Sequence, residues 1–261
     1  MPGRPARRMV VLCSSIGAEW KYNYRREVLL ARRLAKLRVA AVRLHYLGTG
    51  HSDDGEVTFR GMVDDVEHVR DWARRQADVE QVVYFGSRLG ALVAAAAGRE
   101  TRSPLACWNA PATGAAYFKE LFRILRVGRL AGSGRADETP APQDLLCSGH
   151  SLDILGYTLG SALYLSARTI CFAVELGPHT RTVKMVEIGD TRHTQQAAGH
   201  AMSLRERGFD VTTSVVGDER SWWFDDADWG ADEHRGAVGR LVEETAVWLA
   251  TVPAREVSYG G

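Results

Sequence analysis

Short apolar runs rich in β-branched residues alternate along this chain with longer segments in which apolar residues recur at helical spacing. The runs with the length and composition of strands lie at residues 9–13, 39–44, 81–85, 105–108, 182–188 and 210–215. The segments of helical period lie at residues 24–37, 60–76, 89–98, 194–207 and 234–251. Because each helical segment is long enough to cross between parallel strands, the pattern predicts an α/β fold with a mainly parallel six-stranded sheet and helices on both faces.

The interval from about residue 112 to residue 180 interrupts this alternation. It holds a helix candidate at residues 117–130 and a stretch rich in Gly, Ser and Pro at residues 128–142. We interpret the interval as a helical cap inserted after the fourth strand and lying over the carboxyl edge of the sheet. With 261 residues, the chain is expected to form a single domain that carries this insertion.

Charge and hydropathy exclude several classes of partner. The chain has 33 basic and 32 acidic side chains and a net charge of +1, which gives no reason to expect nucleic acid binding. No stretch approaches the roughly 20 apolar residues that cross a bilayer, so we expect no membrane insertion and a cytoplasmic location. The apolar run near the amino terminus is short, and we interpret it as the first strand rather than a signal peptide.

The sequence offers no recognisable motif for a cofactor or a metal. Four cysteines are scattered without a C-x-x-C pair and are expected to be buried thiols: Cys13, Cys107, Cys147 and Cys171. Neither a G-x-G-x-x-G dinucleotide motif after the first strand nor a G-x-x-x-x-G-K-[ST] phosphate loop is present. The acidic residues within 64–71 lie on a helix that we expect to face solvent. We therefore predict no metal and no cofactor.

The strand at residues 81–85 leads through a sharp turn directly into a helix of small residues. The turn reads G-S-R-L-G at residues 86–90, which is the context of a nucleophile elbow. In that motif the flanking glycines let the strand pack against the helix, and the residue between them is held exposed at the helix N-terminus. The residue at that position in this chain is Arg88.

A second loop carries a further motif, H-Y-L-G-T-G-H-S-D at residues 45–53, and it resembles the D-x-x-G-x-G-x-S loop common in α/β-hydrolases. Within that superfamily the chain resembles the proteins called exosortase A system-associated hydrolase 2. Residues 86–92 read G-S-R-L-G-A-L, where that family typically has G-L-R-L-G-A-L. Residues 148–159 read S-G-H-S-L-D-I-L-G-Y-T-L and are similar to its A-G-E-S-L-E-V-A-G-Y-E-L. The resemblance implies an α/β-hydrolase fold, an arginine at the elbow and a bacterial biosynthetic setting such as polysaccharide export or secondary metabolism.

Hydrolysis of an acyl compound by such a fold needs a nucleophile, a histidine base and an orienting carboxylate. The elbow position holds Arg88, which stays protonated and cannot attack a carbonyl. Ser87 is one residue early, where its side chain is expected to point away from the cleft. Asp190 or Glu187 could serve as the carboxylate, but residues 216–223 after the last strand contain no histidine. Two of the three members of a catalytic triad are therefore missing.

Arg88 itself needs an anionic partner, because a guanidinium at a helix N-terminus faces the positive end of the helix dipole. One hypothesis is an internal ion pair, for which the candidate carboxylates are Glu19, Asp190, Asp218 and Glu219. The other is that Arg88 and nearby helix N–H groups bind a carboxylate or phosphate of a ligand. In that case Arg88 could stabilise an enolate-like oxyanion while Glu219 or Asp190 exchanges a proton, as in an epimerisation.

The predicted site combines these catalytic groups with a binding wall. The predicted catalytic residues are Arg88, Asp190 and Glu219. The predicted ligand-binding residues are Gly17, Glu19, Trp20, Ser87, Leu89, Trp222 and Trp223. Three functions stay open: binding or tailoring of a carboxylated or acylated metabolite or peptide through Arg88, an inactive binding or scaffold protein, and an esterase or thioesterase that uses Ser87. A homodimer is also compatible with the sequence.

Overall fold

The computed structural model describes residues 8–76, 79–133, 140–177, 181–189, 191–217 and 236–253. In chain order its elements are β1 (Arg8–Cys13), α1 (Gly17–Lys36), β2 (Ala40–Arg43), α2 (Phe59–Gln76), β3 (Gln81–Ser87), α3 (Leu89–Ala97), β4 (Leu105–Trp108), α4 (Gly114–Ser133), α5 (Pro142–Cys147), β5 (Leu152–Ile154), β6 (Tyr157–Leu159), α6 (Ser161–Ala167), α7 (Phe172–Glu175), β7 (Thr182–Gly189), α8 (Thr191–Glu206), β8 (Asp210–Gly217) and α9 (Gly236–Thr251).

Six of these strands form one sheet in the order β2-β1-β3-β4-β7-β8. Every neighbouring pair in this sheet is parallel. β1 and β3 are in register from Arg8 opposite Gln81 to Cys13 opposite Gly86, so their carboxyl ends lie level at one edge. β5 and β6 form a separate antiparallel hairpin. The predicted α/β fold with a parallel six-stranded sheet is confirmed.

Helices cover both faces of the sheet, because its central strands are buried on both sides. In β1, Val10 packs in the same core as Leu30 of α1, and α9 completes that layer. Val11, the next residue, packs on the opposite face in the same core as Val66 of α2 and Leu92 of α3. Successive side chains of a strand point to opposite faces, so β1 reads as a continuous apolar run.

Helix α2 shows which side of such a helix faces the sheet. In α2, Arg60 and Arg74 are exposed, whereas Val63 and Val66 are buried against the sheet. Within the part of the chain that the structure describes, none of the helices combines the length and the apolar character needed to cross a membrane.

The first helix begins earlier than the sequence predicts. α1 starts at Gly17 rather than at residue 24, and its first turns bury Glu19 and Asn23. Asn23 Nδ2 donates to the carbonyl oxygen of Glu19 at 2.8 Å, which links the two buried polar residues. Polar residues on the buried side interrupt the apolar spacing by which an amphipathic helix is recognised. The prediction was therefore wrong at this end because the polar residues of the site lie on the inner side of the helix.

The interval between β4 and β7, which the sequence predicts to be a cap, contains α4 to α7 and the β5–β6 hairpin. The hairpin reaches the start of α1, where a Cβ built on Gly17 would lie 3.4 Å from the Cβ of Tyr157. The backbone N–H of Phe59 donates to Ser166 Oγ at 3.0 Å, which ties α6 to the start of α2. These contacts place the interval beside the carboxyl ends of β1 and β2.

Candidate active site

The turn between β3 and α3 holds Arg88 at φ 53° and ψ −123°. A Cβ on Gly90 would lie 2.1 Å from the carbonyl oxygen of Cys13, and one on Gly86 would lie 2.5 Å from the Cα of Ala91. Only glycine allows these backbones to approach so closely. A positive φ at a non-glycine residue is strained and has to be held by the surrounding fold. The turn therefore fixes Arg88 at the carboxyl end of β3, directly beside β1.

The Arg88 guanidinium is buried and bound by two carboxylates. The side chain is 5% exposed. Nε donates to Glu19 Oε1 at 3.0 Å, and Nη2 donates to Glu120 Oε2 at 2.7 Å. Burial alone would lower the pKa of Arg88, but the charges of Glu19 and Glu120 outweigh burial and raise it. Arg88 is therefore a fixed cation whose charge is balanced by two carboxylates of the protein.

Glu19 connects Arg88 to two hydroxyl groups. Glu19 Oε2 accepts hydrogen bonds from Ser15 Oγ at 2.5 Å and from the Tyr117 hydroxyl at 3.0 Å. The Tyr117 ring lies beneath the guanidinium, with its centroid 5.5 Å from Cζ of Arg88. Burial and the Glu19 charge raise the pKa of Tyr117 well above its usual value, so Tyr117 stays a hydrogen-bond donor. We call Arg88, Glu19, Glu120, Tyr117 and Ser15 the elbow network.

A third carboxyl group, Glu187 on β7, lies within the electrostatic influence of the elbow network. Its exposure is 8%. Burial raises the pKa of Glu187 to about 8, Arg88 opposes this rise and Glu120 adds to it. Glu187 is therefore mainly protonated at neutral pH. The sequence identifies Glu187 together with Asp190 as a candidate acid, and Glu187 is the one within the described residues.

A separate buried carboxyl group lies about two turns further along α1. Glu27 accepts hydrogen bonds from Ser14 Oγ at 2.5 Å and from Ser87 Oγ at 2.8 Å. Arg43 Nη2 lies 4.0 Å from Glu27 Oε2, beyond hydrogen-bond distance. Burial raises the pKa of Glu27, and the two serine hydrogen bonds and the Arg43 charge oppose this rise. We call Glu27, Ser14, Ser87 and Arg43 the Glu27 cluster.

A cavity of about 610 Å³ opens beside Glu19 at the carboxyl ends of β1 and β2. Its walls come from the segments after these two strands, from α4 and from the β5–β6 hairpin with the residues around it. The residues used in the arguments below are Ser15, Glu19, Trp20, His45, Glu56 and Tyr117. We call this space the carboxyl-edge cavity. Its volume falls within the range of roughly 300–1,000 Å³ that is typical of small-molecule sites.

The wall of the carboxyl-edge cavity combines aromatic rings with acidic groups. Trp20 packs edge-on against His45, with 5.3 Å between the ring centroids. Burial is the largest of the causes that lower the His45 pKa, so this ring is neutral at pH 7. Glu19 and Glu56 line the cavity, and no lysine or arginine is among its described lining residues. This wall favours neutral or cationic groups of a ligand over anionic ones.

The structure brings some of the predicted ligand-binding residues to the cavity and leaves others in the core. Those that line the cavity are Gly17, Glu19 and Trp20. Ser87 is fully buried and donates to Glu27 instead. Leu89 is fully buried among apolar side chains. Arg88 is not among the lining residues, and Ser15, Glu19 and Tyr117 are the members of its network that line the cavity.

Four predicted site residues lie outside the described residues: Asp190, Glu219, Trp222 and Trp223. The same holds for Asp218, another candidate partner of Arg88. Of the internal partners proposed from the sequence, Glu19 is the one whose contact with Arg88 the structure describes. In the described ranges, no three His, Cys, Asp or Glu side chains are grouped closely enough to hold a metal ion.

Sequence reasoning missed several residues of the site. Glu120 lies within the helix predicted at residues 117–130, and nothing in the helical spacing indicates that this one carboxylate reaches the elbow. Ser15 offered a weak signal, because polar residues directly after a buried parallel strand lie at the carboxyl edge of the sheet, where sites form. Glu27 gave no signal, since an acidic residue within a helix is ordinarily solvated.

Comparisons with known proteins bear on the fold. No protein-family model and no curated protein matches the chain. Est1E from Butyrivibrio proteoclasticus is similar with a TM-score of 0.62 and 15% identity, covering 95% of this chain and 88% of that chain. A thermophilic esterase from Thermogutta terrifontis, solved with malate bound, is similar with a TM-score of 0.59 and 14% identity, covering 96% and 92%. XC6422 from Xanthomonas campestris, an α/β serine hydrolase without a lid, has a TM-score of 0.54 and 16% identity, covering 97% and 88%.

These structural neighbours cover nearly the whole chain. The six-stranded parallel sheet described above agrees with this likeness. The chain has the α/β-hydrolase fold. In the α/β-hydrolase fold, the residue at the sharp strand-to-helix turn is the nucleophile, and an N–H group from a neighbouring strand-to-helix loop contributes to the oxyanion hole. In this chain that turn carries Arg88. The loop after the neighbouring strand β1 carries Ser15 and leads into Glu19.

Proposed function

We propose that the protein hydrolyses a carboxylic ester or thioester bound in the carboxyl-edge cavity. The observation that carries the proposal is the position of this cavity, at the carboxyl ends of β1 and β2 and beside the elbow network. Ligands of open α/β sheets bind outside the carboxyl ends of the strands. The structural neighbours described as esterases or serine hydrolases support the same class of reaction.

The walls of the cavity suggest the class of ester. Trp20 and Tyr117 supply aromatic surface, while Glu19 and Glu56 supply negative charge. An acyl or alcohol group with apolar surface and no negative charge matches this wall, because an anionic group would be repelled by both carboxylates. We therefore propose neutral or cationic esters of small-molecule size as substrates.

Arg88 is a positioning residue in this proposal. A protonated guanidinium cannot attack a carbonyl carbon, and this one is engaged by Glu19 and Glu120. Its hydrogen bond to Glu19 Oε1 holds that carboxylate at the cavity wall with Oε2 turned toward Ser15 and Tyr117. Arg88 thus acts on the reaction through Glu19.

Ser87 is the nucleophile that the sequence suggests for an esterase, and its surroundings argue against that role. Its hydroxyl is fully buried and donates to Glu27 at 2.8 Å. Neither Ser87 nor Glu27 is among the lining residues of the carboxyl-edge cavity. A Ser87→Ala variant that is folded and has lost ester hydrolysis would restore Ser87 as the nucleophile.

A second candidate function is binding or tailoring of a carboxylated metabolite or peptide through Arg88. It is favoured by a difference between the two partners of Arg88, since the Glu120 side chain is 24% exposed and that of Glu19 is 1% exposed. A carboxylate of a ligand could replace Glu120 on Nη2, and one structural neighbour was solved with malate, a dicarboxylate. If Glu187 exchanges a proton with the bound ligand, the site carries out an epimerisation. If no group of the site exchanges a proton, the protein binds the ligand without catalysis.

Calorimetry with malate separates this second candidate from the first. If Arg88 anchors anions, malate binds to the wild-type protein, Glu120→Gln binds it more tightly and Arg88→Ala does not bind it. If Arg88 binds only the protein's own carboxylates, the wild-type protein shows no heat of malate binding, or Arg88→Ala shows the same heat as the wild type.

The main proposal is tested with p-nitrophenyl esters and acyl thioesters of increasing chain length. We expect saturable hydrolysis by the wild-type protein, and unchanged hydrolysis by Ser148→Ala, whose hydroxyl is exposed and bonds to the backbone of α5. Absence of hydrolysis of every ester and thioester across pH 5 to 9, by folded protein, would contradict the proposal.

We further propose that the chain is a member of the exosortase A system-associated hydrolase 2 family. The support is the arginine within G-S-R-L-G-A-L at residues 86–92 and the segment at residues 148–159. Residues 152–159 of that segment form the β5–β6 hairpin. A polysaccharide or secondary-metabolite biosynthetic cluster around its gene would be expected, and a genomic setting without one would count against this membership.

A further inference from the structure

Ser15 is the serine of the elbow network, and this residue also lines the carboxyl-edge cavity. Ser15 lies two residues after the end of β1 and lines the cavity. Its Oγ lies 2.5 Å from Glu19 Oε2. A short hydrogen bond between a hydroxyl and a carboxylate is of the charge-assisted kind, in which the proton is already directed at the acceptor that would receive it.

Glu19 is held in the orientation that a general base requires. Arg88 donates to Oε1 at 3.0 Å and Tyr117 donates to Oε2 at 3.0 Å, so both carboxylate oxygens are fixed. Glu19 is 1% exposed, so groups of the protein surround most of its carboxylate. The buried cation Arg88 also pairs with the carboxylate of Glu19, because an unpaired charge in the protein interior would be destabilising.

The start of α1 supplies groups suited to an anionic oxygen beside Ser15. Gly17 and Ala18 line the cavity, and the N-cap residue Ile16 gives α1 no side-chain cap. The first N–H groups of a helix have no acceptor within the helix. Together with the helix dipole they favour negative charge at this point. In the α/β-hydrolase fold the equivalent loop contributes to the oxyanion hole.

From these three observations we infer that Ser15 Oγ is the nucleophile of the cavity and that Glu19 is its general base. This inference rests on the proposed ester hydrolysis and names the groups that carry it out. It moves the attacking hydroxyl from the elbow to the facing loop, while the elbow residue Arg88 positions the base.

The reaction balances with these groups alone and one water molecule. Ser15 Oγ forms a bond to the carbonyl carbon of the ester as its proton passes to Glu19 Oε2, and the first-turn N–H groups of α1 stabilise the oxyanion. The bond from the carbonyl carbon to the alcohol oxygen then breaks, and the leaving alkoxide takes the proton from Glu19. Water attacks the acyl-Ser15 ester, giving its proton to Glu19. The Oγ–carbonyl bond breaks, Ser15 recovers a proton from Glu19, and the carboxylic acid leaves.

The test uses an alkyl fluorophosphonate probe, which bonds covalently to a reactive serine, followed by peptide mass spectrometry of the full-length protein. We expect the probe on the peptide that contains Ser15. We expect Ser15→Ala to lose both the label and ester hydrolysis, at least about 100-fold in kcat. Glu19→Gln should label at a rate lower by a similar factor, because the base is removed while the hydroxyl stays. Ser148→Ala should label like the wild type.

The outcomes separate this inference from the proposed function. Hydrolysis that persists in Ser15→Ala, with the probe on another residue, overturns the inference and leaves ester hydrolysis standing. A probe on Ser15 without turnover of any ester overturns the proposed function and leaves the reactive serine. Folded wild-type protein that neither hydrolyses esters nor accepts the probe overturns both. Thermal melting of each variant establishes that it is folded, and Glu19→Gln replaces Ser15→Ala if the latter does not fold.

Discussion

Two buried glutamates of helix α1, Glu19 and Glu27, accept hydrogen bonds from serine hydroxyls, and they differ in what surrounds them. Ser15 and Glu19 meet at 2.5 Å with the Arg88 guanidinium bonded to the carboxylate. Glu27 accepts from Ser14 at 2.5 Å and from Ser87 at 2.8 Å, and Arg43 Nη2 lies 4.0 Å from its Oε2. Ser15 and Glu19 line the carboxyl-edge cavity, whereas Ser14 is the member of the Glu27 cluster among its described lining residues.

This difference shows how α1 contributes one glutamate to the cavity wall and another to the protein interior. Arg88 Nε donates to Glu19 Oε1 at 3.0 Å, so the carboxylate that faces the cavity has a cation as its direct partner. Glu27 has Arg43 no closer than 4.0 Å, and burial raises its pKa although the two serine hydrogen bonds oppose the rise. The arginine at the elbow is therefore explained by the glutamate that it serves.

The largest predicted effect comes from removing the cation of the first pair. Arg88→Met leaves Glu19 and Glu120 without their buried partner, and we expect the free energy of unfolding to fall by about 3–5 kcal/mol. Denaturation in urea measures this. Arg33→Met is the matched control, because its ion pair with Glu243 is solvent-exposed and should contribute little. A loss for Arg88→Met no larger than for the control would show that the network does not need the cation.

The next prediction concerns the pH dependence of stability through Glu187. Its pKa in the folded protein is raised to about 8 from an ordinary value near 4.5. The stability it contributes is fully present below pH 4.5 and is lost as pH rises toward 8, by up to about 1.4 kcal/mol per pH unit. Glu187→Gln should flatten unfolding curves measured between pH 4.5 and 8. An equal slope in Glu187→Gln and in the exposed-pair variant Glu243→Gln would contradict this origin of the pH dependence.

Serine variants compare how much each hydroxyl contributes to stability through its glutamate. Ser87→Ala removes a hydroxyl that donates to a carboxyl group without a cation in hydrogen-bond contact, so we expect about 1–3 kcal/mol of lost stability. Ser15→Ala should cost less, because Arg88 and Tyr117 still bond to Glu19. Parallel urea titrations measure both variants. The comparison breaks if Ser15→Ala proves the more destabilising of the two.

The smallest predicted effect concerns charge selection at the cavity. Glu56 lines the cavity and is exposed. Glu56→Gln should lower the preference for a cationic choline ester over its neutral analogue by about two- to fivefold in KM, the size expected for an exposed charge pair. The preference should also shrink in high salt. A stronger preference for an anionic succinyl ester would instead indicate that Arg88 reaches the ligand.

The sequence predicted the sheet well because strand identity is local. β4 matches residues 105–108 and the other predicted strands differ by one or two residues at an end, since apolar β-branched runs between turns are read directly. The site was less accessible to sequence reasoning. Glu120 joins Arg88 from 32 residues away, and such a contact depends on how α4 packs rather than on any local pattern. Arg88 was singled out by the elbow motif, whereas its partner Glu19 was one candidate among four.

The most direct measurement compares ester turnover in Glu19→Gln and Glu27→Gln. Both variants replace a buried glutamate of α1 that accepts a serine hydroxyl, and turnover is compared only after thermal melting shows each variant to be folded. We predict that Glu19→Gln lowers kcat by about 10²–10⁴-fold and that Glu27→Gln stays within a few-fold of the wild type. Loss of turnover in Glu27→Gln with turnover retained in Glu19→Gln would contradict the account and place the reaction at Ser87.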